Sequence, residues 1–191
     1  VFVYGGEEMS SMLEFVDLHV NVIVVVSVSK RFSACGARVG VVVSRNKAFM
    51  TEAMKICQGG LCVATLDQVG AAALYSVGPE YFAAVREEYK RRRDTALKKL
   101  LAIPGVVCKQ PEGAFYLMAK LPVDSTDKFQ QWLLVEFNAD GDTVMLTPGE
   151  GFYATPGKGV NEARLAYVLK QADLDRAMDV LALGIAAYNA R

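Results

Sequence analysis

Val22-Ile23-Val24-Val25-Val26-Ser27-Val28-Ser29-Lys30, followed by Arg38-Val39-Gly40-Val41-Val42-Val43, sets two β-branched runs on either side of a short polar segment. The first run is continuously β-branched instead of alternating, which is the pattern of a strand covered on both faces in an α/β sheet. A second such run, 39–43, follows a short loop with polar ends. Loops between buried strands display the side chains that carry chemistry. This one presents Ser-x-Ser-Lys-x7-Arg-x-Gly, formed by Ser27, Ser29, Lys30, Arg38 and Gly40.

Composition narrows the classes around that motif. The 191 residues carry 21 Lys+Arg against 21 Asp+Glu and are 52% hydrophobic, so disorder is excluded and no bulk charge favours nucleic acid or an anionic membrane. The longest apolar run, 20–28, is broken by Asn21 and Ser27 and is far short of the ~20 residues of a membrane span. Residues 5–8 (Gly-Gly-Glu-Glu) exclude a signal peptide at the start, and the cytoplasm is the expected compartment. The four cysteines, Cys35, Cys57, Cys62 and Cys108, read as buried free thiols. The chain opens without methionine on what reads as a strand end, residues 1–4, as the C-terminal piece of something longer would.

Outward from the motif, helices are predicted over 46–57 and 66–75. Thr65 and Gln68 form a capping-box pattern for the second. After Gly78-Pro79 a long helix runs to about residue 103, with the domain boundary placed inside it. Beyond Pro104-Gly105 the pattern becomes α+β, with strands at 106–108, 114–118, 143–146 and 163–169 and helices at 128–137 and 174–188. The last helix keeps Leu174, Met178, Leu181, Ile185 and Tyr188 on one face.

Several candidate chemistries fail on spacing. Lys90-Arg91-Arg92-Arg93 reads as a solvated helix face, because Glu87 and Glu88 lie four residues before Arg91 and Arg92. The glycines around Lys158 miss the phosphate-loop pattern at Phe152 and Gly159. His19 is the single histidine, and Cys57 with Cys62 lacks a second ligand pair, so no metal site is predicted.

The Ser-Lys-Arg constellation remains. A lysine at the edge of a buried strand loses the hydration that favours its charged form and becomes a usable nucleophile toward an aldehyde. An arginine in the same pocket can hold a phosphate dianion bidentately. Ser27 adds a hydroxyl on the same side as Ser29 if extended geometry continues. Aldehyde plus phosphate describes pyridoxal 5'-phosphate.

On these residues the sequence resembles the C-terminal half of a fold-type I, class I/II aminotransferase of the aspartate aminotransferase type. Three further stretches match in order: Pro111-Glu112-Gly113-Ala114-Phe115-Tyr116, Thr147-Pro148-Gly149-Glu150-Gly151-Phe152 and Arg164-Leu165-Ala166-Tyr167. The resemblance implies an α/β fold: the C-terminal part of a large pyridoxal-phosphate-binding domain with a mostly parallel sheet (1–88), then an α+β small domain (89–191). It implies a catalytic Lys30 that forms a Schiff base. Ser27, Ser29, Lys30 and Arg38 would hold the cofactor, and Arg164 the substrate carboxylate. The substrates would be an amino acid and a 2-oxo acid, and the complete protein a homodimer acting without nucleic acid, membrane or metal. The family's pyridine-nitrogen aspartate, phenolic-oxygen tyrosine, stacking aromatic and asparagine would precede Val1, so the chain alone is expected to be inactive. Two alternatives stay open: another fold-type I activity, such as a synthase or lyase, and a non-catalytic truncated homologue.

Overall fold

The computed structural model describes residues 3–5 and 9–191. The chain divides into two compact units: among the described residues these are 9–82, and 3–5 with 83–191. The division falls inside one long helix. Of the expected strand end at 1–4, Val1 and Phe2 lie outside the described residues, and Val3 forms an isolated antiparallel bridge with Gly113.

The first unit opens on a 3-10 turn, Met12–Phe15, closed by a capping box between Ser11 and Glu14. Then come β1 (Ile23–Ser27), the one-turn helix α1 (Val28–Arg31), a 3-10 turn (Cys35–Ala37), β2 (Gly40–Ser44), α2 (Lys47–Gly59), α3 (Thr65–Leu74) and the first turn of α4 (Pro79–Leu101). Asn46 caps α2 by accepting the Phe49 N–H at 3.0 Å. Val28, Phe32 and Ala71 form a small core, against which Leu74, Val77, Tyr81 and Phe82 pack.

Several expectations are corrected here. β1 and β2 pair antiparallel, from Ile23 opposite Ser44 to Ser27 opposite Gly40, and every ladder among the described residues is antiparallel. The β-branched run is not covered on both faces, since Val25 is 75% exposed. The helix predicted over 46–57 forms, but it buries no face among the described residues: Met54 and Ile56 are exposed, and Phe49 and Met50 are half-buried. Thr65 begins α3 instead of capping it: Ala64 takes the cap position and the Gln68 side chain donates to Val63 O at 2.6 Å. The cysteines are free, but Cys35, Cys57 and Cys62 are exposed, on a 3-10 turn, a helix surface and a loop, and Cys108, in a two-residue strand at the edge of the second unit's sheet, is half-buried.

The second unit is a four-stranded antiparallel sheet in the order β3-β4-β6-β5, with β3 (Val107–Cys108), β4 (Tyr116–Lys120), β5 (Thr147–Pro148) and β6 (Glu162–Ala166). Its core joins Leu117, Ala119, Ala163 and Leu165 of the sheet to Ala96 and Leu100 of α4. Phe129 and Leu133 of α5 (Thr126–Val135) and the expected face of α6 (Gln171–Asn189) complete it. The alternation of β4 and β6 explains the layering, because successive side chains leave opposite faces. Leu117, Ala119, Ala163 and Leu165 are buried, so Tyr116, Met118 and Arg164 lie on the other face.

The basic run on α4 is only partly a solvated face. Glu88 binds Arg91 and Arg92 at 2.7 Å each, whereas Arg93 is 4% exposed. Among the described residues no helix is long and apolar enough to cross a membrane.

Phe129 is fully buried and Val135, on the same helix, is 75% exposed. Phe129→Ala is therefore expected to cost about 3–5 kcal/mol of unfolding free energy, and Val135→Ala less than about 0.5 kcal/mol. Denaturant titration followed by circular dichroism checks both.

Candidate active site

The motif loop of the first unit is built from a short helical turn. Val28 and Phe32, four residues apart, are both buried (2% and 6% exposed) and anchor one side of α1. Ser29 and Lys30 consequently lie toward the other side, Ser29 half-buried and Lys30 exposed. The exposure of Lys30 corrects the expectation that burial desolvates it. Arg31 is held by rings, its guanidinium carbon 5.1 Å from the Phe82 centroid and 5.8 Å from that of Tyr75.

Ser27 and Ser29 do converge, for a different reason than the one expected. The strand ends at Ser27, which becomes the N-cap of α1 and accepts the Ser29 N–H at 3.1 Å. This brings the two hydroxyls to 2.8 Å, with Ser27 donating. Strand alternation plays no part.

Arg38 stands at the same end of the hairpin, since Ser27 is paired with Gly40. It adopts the left-handed conformation at φ 54°, uncommon for a side-chain-bearing residue, and its Nη1 donates to Cys35 O at 3.1 Å. Gly40 follows because the strands close tightly there: a Cβ would lie 3.1 Å from Val26 O. Ser27, Ser29, Lys30 and Arg38 thus share one hairpin end.

Arg164 belongs to the second unit, on the face of β6 away from the helices. Its guanidinium carbon lies 4.8 Å from the Phe152 centroid and 5.5 Å from that of Tyr116. The turn carrying Phe152 is locked to β6. Gly149 N–H donates to Glu162 O at 2.7 Å, and a Cβ on Gly149 would stand only 2.7 Å from that oxygen. Tyr153 donates its hydroxyl to Glu162 Oε2 at 2.5 Å, and this carboxylate holds the phenol above its usual pKa range.

A second polar cluster steadies residues 111–114. Buried Arg93 donates to Pro111 O at 3.1 Å and to Asp94 Oδ1 at 2.7 Å, with its guanidinium over Tyr4. The hydroxyls of Tyr4 and Tyr167 both donate to Ala114 O. Burial, more than any neighbour, pushes both phenols above the usual tyrosine range. Among the described residues no group of acidic, cysteine or histidine side chains could hold a metal.

The family model for aminotransferase class I and II matches residues 1–181. The chain belongs to this family. Among curated members it is 30% identical over 177 residues to the aspartate aminotransferase of Bacillus subtilis (strain 168), covering 88% of this chain and 44% of that protein. With the aspartate aminotransferase of Pyrococcus horikoshii it shares 32% identity over 186 residues, covering 93% and 44%. The chain thus spans less than half the length of these relatives. Of solved structures, the alanine aminotransferase from Pyrococcus furiosus superposes with a TM-score of 0.75 at 29% identity, covering 98% of this chain and 47% of that one. The fold is also that of the α-aminoadipate aminotransferase from Thermus thermophilus, with a TM-score of 0.81 at 24% identity, covering 98% and 48%. The mixed α/β architecture is that of class I and II aminotransferases.

Sequence reasoning does not single out Arg31, Tyr116 or Arg93 as cation–π partners, or Tyr167 as a loop anchor. The Pro-Gly-x-x-Phe spacing is the available signal for Phe152.

Ser27 caps α1 through its hydroxyl, so Ser27→Ala is expected to cost about 1 kcal/mol of stability while Ser27→Asn keeps most of it. Thermal unfolding of the two variants measures the difference.

Proposed function

We propose that this chain carries the pyridoxal-phosphate-binding and substrate-carboxylate groups of an aminotransferase that moves an amino group between an amino acid and a 2-oxo acid. One observation carries the reading: a member of the class I and II aminotransferase family places two hydroxyls 2.8 Å apart at a hairpin end that also holds Lys30 and Arg38. That donor set suits the cofactor. Hydroxyls and a guanidinium are donors for a phosphate monoester dianion, and an exposed amine is accessible to an aldehyde.

Ser27, Ser29 and Arg38 hold the phosphate, and Lys30 is the point of covalent attachment. When bound, pyridoxal 5'-phosphate supplies the aldehyde and a conjugated ring that takes up electron density from the substrate's Cα. With the cofactor bound, Lys30 Nζ would take the Cα proton as general base and, as general acid, deliver it to the cofactor's aldehyde-derived carbon instead of back to Cα. Arg164 pairs with the substrate carboxylate and thereby orients the Cα–H bond. Residues 1–88 are read as the C-terminal part of the cofactor-binding domain and 89–191 as the small domain. The complete protein is read as a cytoplasmic homodimer.

Borohydride reduction of the complete protein loaded with pyridoxal 5'-phosphate is expected to add the cofactor's mass to the peptide containing Lys30. Mass spectrometry placing the label on another lysine would refute the assignment. Arg38→Ala is expected to raise the cofactor's Kd by about tenfold or more, with Arg38→Lys recovering part of the loss. Equilibrium titration reads the change, and an unaltered Kd in both variants removes Arg38 from the phosphate site.

A further inference from the structure

The 147–152 turn and the Tyr116 ring have no role in the assignments above, yet both converge on Arg164. The guanidinium carbon lies 4.8 Å from one ring centroid and 5.5 Å from the other. Among the described residues the Arg164 side chain makes no ion pair or hydrogen bond, its ring contacts aside. A guanidinium attracted to ring faces keeps its in-plane N–H groups available to a planar acceptor. A flexible arginine without such support loses rotamer freedom each time it binds, which weakens the complex.

We propose that Phe152 and Tyr116 form an aromatic clamp that holds the Arg164 fork ready for the carboxylate of the substrate, making them positioning residues that set carboxylate affinity. This rests on the reading of Arg164 given above. The clamp explains why the turn has its particular residues. Gly149 admits the close approach to Glu162 O, and the Tyr153–Glu162 hydrogen bond fixes the turn on β6. Phe152 N–H closes the turn on Gly149 O at 3.0 Å, which sets the ring in place. Phe152 is 51% exposed and Tyr116 42%, so either ring can be replaced without opening the core.

The test uses the complete protein loaded with pyridoxal 5'-phosphate, titrated by calorimetry with 3-phenylpropionate and with its amide. Neither probe has an amino group to react. Phe152→Leu and Tyr116→Leu are each expected to weaken carboxylate binding by about tenfold while leaving amide binding within about twofold. Phe152→Tyr keeps a ring face and should retain carboxylate affinity. Gly149→Ala displaces the turn and should behave like Phe152→Leu. In steady-state assays Phe152→Leu should raise KM for the amino acid with kcat little changed, a split that a merely structural role would not produce.

Arg164→Met separates the two levels of the argument. If it leaves carboxylate binding unaltered, or the unsubstituted protein does not bind 3-phenylpropionate, the reading of Arg164 fails and the clamp with it. If Arg164→Met abolishes the preference for carboxylate over amide but both leucine variants keep it, the clamp alone is overturned. Equal losses for carboxylate and amide would make the rings a generic apolar wall, which also overturns it.

Discussion

In β6, side chains leave alternate faces, so burying Ala163 and Leu165 against the helices obliges Arg164 to face the other way. The same rule in β4 buries Leu117 and Ala119 and sets Tyr116 and Met118 beside Arg164. Placement of the guanidinium is therefore a consequence of core formation. Pairing β5 on the far side of β6 then brings the Gly149 turn to the strand edge, and Phe152 to the guanidinium. Hydrophobic burial sets the direction of Arg164, and the aromatic contacts refine it.

The first unit displays its chemistry by a related device on a smaller scale. A single helical turn, held down by Val28 and Phe32, turns Lys30 outward where the strand would otherwise continue. Ser27 ends the strand, caps the helix and meets the Ser29 hydroxyl. One side chain thus makes the transition from strand to helix and supplies part of the donor set. Antiparallel pairing brings Gly40, and hence Arg38, back to the same end.

Much of the second unit is legible in the sequence. The apolar positions of α6 stand out because a helix buried on one face leaves a strict periodic trace. The motif of Ser27, Ser29, Lys30 and Arg38 is also legible, because its spacing follows from one hairpin. The burial of Arg93 is not. A run of four basic residues reads as solvent-facing, and only the fold brings Pro111 O and the Tyr4 ring to Arg93, whose neighbour in sequence, Asp94, completes its polar contacts. The strand expected at 22–28 forms at Ile23–Ser27, and no layer among the described residues covers the face that carries Val25.

The α/β and α+β textures and the order of the elements are readable in the sequence because they depend on local periodicity, whereas the family and the candidate groups are reached through the resemblance of four motifs spread over residues 27–167. The antiparallel pairing of β1 with β2 and the two rings around Arg164 emerge only in the folded chain. Those features depend on contacts between residues far apart in the chain. Arg164 and Phe152 are separated by a turn whose path is set by Gly149 lying against Glu162, and Tyr116 reaches Arg164 only through the β4–β6 register. Local spacing encodes neither relation, since each exists only once the strands have paired.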